Sequence, residues 1–186
     1  MTLTQTQTIL ERLKEHLALP WPDNVSARER VVMVVYPPSD ERKLRRMIES
    51  GEFASEIKTT GHGWVEHDLA PDFSTWLANF EYRDRYLGKP ERLWDDAGNV
   101  RGLEEYLVTK IAEAAKDMTA NDVLALIGGG GLFGLHSVST LIERIESHVP
   151  GRLVIFFPGE HDAKNNSYRL LGAKDGWGYL AVPITC

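Results

Sequence analysis

The sequence predicts an α/β fold, a three-layer sandwich in which helices flank a mostly parallel sheet of about five strands. Two apolar runs predict the sheet: Val31 to Tyr36 and Leu153 to Phe157 carry no polar position, as strands covered on both faces must. Apolar stripes at helical spacing alternate with such runs along the chain, which predicts the covering layers. With 186 residues, 42% apolar and 26% charged, the chain can bury one sizeable core, so 1–186 reads as a single domain.

Ile9, Leu10, Leu13 and Leu17 share one face, which predicts an amphipathic helix over Thr4 to Ala18, ended near Pro20. After the strand Val31 to Tyr36, Pro37 and Pro38 stop it and Ser39 is placed to cap the next amides. Leu44, Met47 and Ile48 then form a helical stripe closing at Gly51. A further helical stretch on Phe53, Ala54 and Ile57 leads to Gly61-His62-Gly63, and Trp64 to Asp68 reads as the second strand. Helices are expected from Asp72, on Phe73, Trp76, Leu77 and Phe80, and between Val100 and Lys116, on Leu103, Tyr106, Leu107 and Ile111. Gly88 to Asn99 is expected as loop.

Val123 to Ile127 is the third strand, Gly128 to Gly131 a turn, and Val138, Leu141, Ile142 and Ile145 a helix ending before Pro150-Gly151. Leu153 to Phe157 is the fourth strand and Tyr179 to Pro183 the fifth. The stretch between them lacks a helical period, which leaves the last strand free to run antiparallel. In such folds ligands gather at the carboxyl ends of the strands.

A formal charge of −6 would repel a phosphate backbone, which argues against direct DNA binding. The single thiol, Cys186, leaves no internal disulfide, and Met1 to Gln7 lacks a leader's basic and apolar regions, so a reducing, cytoplasmic setting is expected. No apolar run approaches the roughly 20 residues of a membrane span.

Gly129, Gly131 and Gly134 have the spacing of a dinucleotide-binding turn between a strand and a helix. Against that reading, no ribose-binding acid ends the next strand, where Pro158-Gly159-Glu160 stands. Read as a phosphate loop, the turn continues into Leu135 and His136 where lysine and Ser/Thr are needed. The fold is therefore P-loop- or Rossmann-like without a functional phosphate loop; a phosphate-binding turn at Gly129, Gly131 and Gly134 remains the alternative. No catalytic triad, nucleophile elbow or cofactor motif is legible, so no catalytic residue and no cofactor are assigned.

Asp40 and Glu41 follow the first strand, where catalytic acids often sit, but they also suit a helix's first turn. Arg42, Lys43, Arg45 and Arg46 beside them read as a solvated or partner-facing surface. His62, Glu66 and His67 do not make a metal site, because Glu66 and His67 point to opposite faces of a strand. Glu160, His161, Asp162, Asn165, Asn166, Tyr168 and Arg169 form a polar cluster with two readings: a binding edge, or a loop in which Asn and Asp cap turn amides and Arg169 pairs with Glu160.

Five segments taken together resemble the BrxB domain family of bacteriophage exclusion (BREX) systems. They are Val34-Val35-Tyr36-Pro37-Pro38-Ser39-Asp40-Glu41-Arg42, Gly61-His62-Gly63-Trp64, Phe156-Phe157-Pro158-Gly159-Glu160, Asn166 with Tyr168-Arg169-Leu170-Leu171, and Asp175-Gly176-Trp177 with Tyr179-Leu180-Ala181-Val182-Pro183-Ile184. The resemblance covers most of the chain and is most specific in its carboxy-terminal half; the loop Asp162 to Ser167 departs from it. It implies a component of an antiphage assembly that includes a DNA methyltransferase, a large ATPase and an alkaline-phosphatase-like protein; with no catalytic group legible, the leading expectation is a non-enzymatic adaptor for them. Asp40, Glu41, Arg42, Glu160, Asn166, Tyr168 and Arg169 are the motif residues it marks for binding.

Overall fold

Alternate side chains of the first strand, β1 (Val31–Tyr36), serve two different cores. In the computed structural model, which describes residues 3–22, 24–90, 92–95, 97–132, 136–171, 177–178 and 181–186, Val31, Met33 and Val35 join one apolar cluster and Val32, Val34 and Tyr36 the other. The apolar run is thus a central strand buried on both sides, as its composition requires.

The remaining strands are β2 (Gly63–Asp68), β3 (Asp122–Ile127), β4 (Arg152–Asp162), β5 (Ser167–Leu170), β6 (Trp177–Gly178) and β7 (Val182–Ile184). Five of them lie parallel in the order β2-β3-β4-β1-β7, while β5 runs antiparallel to β4 and β6 antiparallel to β5. Helices α1 (Gln5–Leu17), α2 (Glu41–Glu49) and α3 (Glu52–Lys58) cover one face. The other face is covered by α4 (Asp72–Ala78), α5 (Arg83–Leu87), α6 (Arg92–Asp95), α7 (Ala97–Ala115) and α8 (Val138–Ile145). The chain moves outward from β1 to β2 over the first face and returns through β3 to β4 over the second, the arrangement that crossovers of one hand require.

The structure departs from the sequence reading in four places. The expected loop at 88–99 holds α6 and the start of α7, because buried Leu93 anchors it and Asn99 donates to the Leu93 carbonyl at 3.2 Å. Ser39 lies inside a 3-10 turn, Pro38–Asp40, and α2 has no side-chain cap. β4 does not stop at Phe157 but runs on through Pro158 to Asp162, where it exchanges β1 for β5 as partner. A proline is tolerated where a strand changes neighbours, since a missing ladder donor costs little there.

The last strand is parallel to β1, pairing Val32 with Val182 and Val34 with Ile184. It fills the open edge of β1 and adds Ile184 to the α1–α3 core. The residues before it leave the sheet as a hairpin, so the lack of a crossover helix imposes no reversal. Tyr179 and Leu180, expected at its start, lie outside the described residues. Among the described residues no helix is long and apolar enough to cross a membrane.

Candidate functional site

The carboxyl ends of β1, β2, β3 and β4 frame a cleft of about 240 Å³ lined by Pro38, Glu41, Arg45, Ala70, Pro158 and Leu171 together with Gly128, Gly130 and Gly131. Its position follows from topology: the connection after β1 turns to one face and the connection after β3 to the other, which opens a crevice between them.

A charged network forms its floor. Tyr36, the last residue of β1, donates its hydroxyl to Glu41 Oε2 at 2.5 Å. One turn along α2, Arg45 donates Nε to Glu41 Oε1 at 2.9 Å and grips Asp68, the last residue of β2, through Nη1 at 2.8 Å and Nη2 at 3.1 Å. Asp68 also accepts the Ala70 amide at 2.9 Å. The guanidinium reaches Asp68 because residue 128, at the end of β3, has no side chain. With φ at +74°, a Cβ there would stand 2.4 Å from Asp68 Oδ1 and 2.7 Å from Arg45 Nη2.

These contacts fix protonation states. Burial, then the bond to Glu41, drives the Tyr36 hydroxyl far above the ordinary phenol value, so it stays a donor. The bond to Asp68 holds the Arg45 cation more firmly still. Burial works against the Asp68 anion, but Arg45 and the Ala70 amide outweigh it and keep its carboxyl below the usual range. Tyr36, Arg45 and Asp68 thus all stay away from neutrality, where a general acid or base is most effective. Among its described lining residues the cleft carries no Ser, Thr, Cys or His.

Of the residues marked for binding, Glu41 alone lines the cleft. Asp40 is buried beside it, 3.6 Å from Lys43 Nζ, with Oδ2 lacking a partner among the described residues. Arg42 is exposed, and its carbonyl accepts Arg46 Nε at 3.2 Å. The basic run is therefore not a uniform outward surface, since Arg45 turns into the cleft.

Glu160, Asn166, Tyr168 and Arg169 sit on the β4–β5 hairpin, beyond the parallel sheet. Arg169 and Glu160 stand 3.9 Å apart across it, both exposed. Asn166 adopts a left-handed φ of 45° with Oδ1 3.1 Å from His161 Nε2, and Asp162 accepts the Lys164 amide at 2.9 Å. Tyr168 is buried, edge-on to Phe157, with its hydroxyl pushed up to about 12 by burial and donated to the Ala181 carbonyl at 3.3 Å. The Asp162 cap and the Arg169–Glu160 pair of the capped-loop reading are present, whereas Asn165 donates to Asp162 Oδ2 and Asn166 Oδ1 faces His161.

Gly129 and Gly131 belong to a 3-10 turn, Gly129–Leu132, of which Gly130 and Gly131 line the cleft; Gly134 lies outside the described residues. Helix α8 does not follow directly: it begins at Val138, its N-cap Ser137 accepts the Thr140 amide at 3.4 Å, and none of its residues lines the cleft. Among the described residues, no three His, Cys, Asp or Glu are placed to hold a metal. His62 instead contacts Asn121 and His67 contacts Asp72.

The sequence reading missed Tyr36, Arg45 and Asp68. A signal was present in outline, since Tyr36 and Asp68 each close a strand at the ligand-bearing edge. The chain matches no family model, and no curated protein or solved structure is significantly similar to it.

Proposed function

We propose that this domain is a non-enzymatic adaptor of a BREX-type antiphage assembly, and that the carboxyl-edge cleft is where a partner protein docks. One observation carries the reading. Segments that resemble the BrxB family, far apart in the chain, meet at the cleft: Pro38 and Glu41 come from the first, Pro158 from the third and Leu171 from the fourth. Two carboxylates around one engaged guanidinium, walled by prolines and Leu171, suit a basic or apolar side chain of a protein better than a triphosphate. Groups held far from neutrality suit binding better than proton transfer.

The test is co-expression with the methyltransferase, ATPase and phosphatase-like proteins of a BREX-type system from the same genome. A tagged chain should recover at least one of them stoichiometrically, and Leu171→Asp, at a position 39% exposed, should release it while circular dichroism stays unchanged. Recovery of none, or an intact complex with Leu171→Asp, defeats the proposal.

A second reading places a nucleotide or other small molecule in the same cleft, favoured by the backbones of Gly130 and Gly131 along its wall. Calorimetry with ATP, GTP and S-adenosylmethionine separates the two: saturable heat abolished by Gly131→Val supports this reading, and no heat removes it.

A further inference from the structure

The opposite, amino-terminal edge of the sheet holds a pocket of about 290 Å³ lined by Trp21, Pro22, Val25, Arg30, Ala120, Pro150, Gly151 and Arg152. Its two cations are neighbours by construction. Val31 pairs with Leu153, so extending that register by one residue sets Arg30 beside Arg152. Like charges on adjacent strands destabilise a sheet unless something opposite offsets them.

Nothing described offsets them here. Among the described residues Arg30 donates to the Pro150 and Gly151 carbonyls, and its buried Nε has no partner there. Arg152 donates to the Glu29 carbonyl at 3.1 Å and lies 5.1 Å from the centre of the Trp21 ring. Neither makes an ion pair with a described carboxylate. Burial first, and then the Arg30 charge, weaken the Arg152 cation, and no carboxylate acts on it in the other direction. The same excess of positive charge adds to burial in lowering the pKa of His16. In a chain of net charge −6, with 27 acidic residues, two adjacent arginines without a carboxylate partner among the described residues are a departure that calls for a cause.

The walls are already built. Gly151 packs so closely on the turn that opens β3 that a Cβ would come within 1.9 Å of the Asp122 carbonyl, which fixes the carbonyls that Arg30 holds. Trp21 is stacked on His62 at 3.7 Å with its ring planes 4° apart, and its indole N–H is committed to the Leu17 carbonyl.

We infer that this pocket binds a small oxyanion, the phosphate or carboxylate group of a low-molecular-weight ligand, through Arg30 and Arg152. Guanidinium groups take such anions through paired, charge-assisted hydrogen bonds, and two of them line one pocket. The volume lies at the lower end for small-ligand sites, which favours a compact anion over an extended polymer. The inference is independent of the adaptor reading, because the two sites lie at opposite ends of the sheet.

The experiment is thermal denaturation and calorimetry of the full chain with inorganic phosphate and with malonate, against sodium chloride at equal ionic strength. Phosphate, malonate or both should raise the melting midpoint saturably beyond the chloride control, and the difference between them assigns the ligand's head group. Arg152→Gln, which retains a donor for the Glu29 carbonyl, should weaken binding by about tenfold or more. It should also leave the ligand-free midpoint unchanged or raised, because it removes one of two repelling charges. Arg152→Lys, which keeps the charge but not the paired donors, should bind at an intermediate level. A response no larger than that to chloride, one that survives both substitutions, or a ligand-free midpoint that falls with Arg152→Gln would overturn the inference. So would an oligonucleotide binding with a steep salt dependence where phosphate and malonate do not bind.

Discussion

The two ends of the sheet handle arginine in opposite ways. At the carboxyl edge, Arg45 is held by two carboxylates from two elements, and its three bonds to them supply its counter-charge before any ligand arrives. At the amino edge, Arg30 and Arg152 meet backbone carbonyls, the Trp21 ring and each other, with no carboxylate partner among the described residues. The contrast teaches that a count of basic residues says little about anion binding; what decides is whether the fold has already supplied the counter-charge. By that measure the carboxyl cleft is a poor phosphate site despite its glycines, and the less conspicuous opposite pocket is the better one.

Three substitutions would break or sharpen this contrast. The largest effect is expected from Gly128→Val, which places a branched side chain at positive φ against Asp68 and Arg45. It should cost about 2–4 kcal/mol in urea denaturation, and a cost within error of zero would mean that the network does not depend on that vacancy. Next is Arg45→Met, which strips Asp68 and Glu41 of their shared partner. It should destabilise by about 1–3 kcal/mol, short of a fully buried pair because both carboxylates retain solvent contact. The direction is opposite to that expected for Arg152→Gln, and agreement in sign between the two variants would erase the contrast.

The same Arg45→Met variant changes the acid limb of stability. Because the folded-state pKa of Asp68 is depressed, its pairing stabilises the fold above the ordinary value of 3.8, and this share is lost as pH falls through the depressed value. The urea midpoint of the variant should therefore fall less steeply than that of the parent below about pH 4. The smallest effect should come from Tyr36→Phe, which removes the hydroxyl bond to Glu41 while keeping the buried ring, at about 1 kcal/mol.

The central strands were legible because burial on both faces writes itself into sequence: Val31 to Tyr36 appears in the structure with the expected bounds, and the other apolar runs lie within strands. The hairpin was not, since its residues alternate weakly and Pro158 looks like a terminator until the change of partner is known. Within the cleft, Glu41 could be named from its place after β1. The Arg45 pairing to Asp68 could not, because it joins residues 23 apart across a crossover and depends on an absent side chain at position 128. The amino-edge arginines escaped notice because each looks ordinary alone, and only the strand register makes them a pair.

One strand touches both sites: Arg152 opens β4 at one pocket and Pro158 stands in the wall of the other, roughly 20 Å further along a continuous, buried segment. Occupants of the two sites would therefore not collide. Any influence of one on the affinity of the other has a stiff axle to travel along, and thermodynamic reciprocity makes that influence equal in both directions.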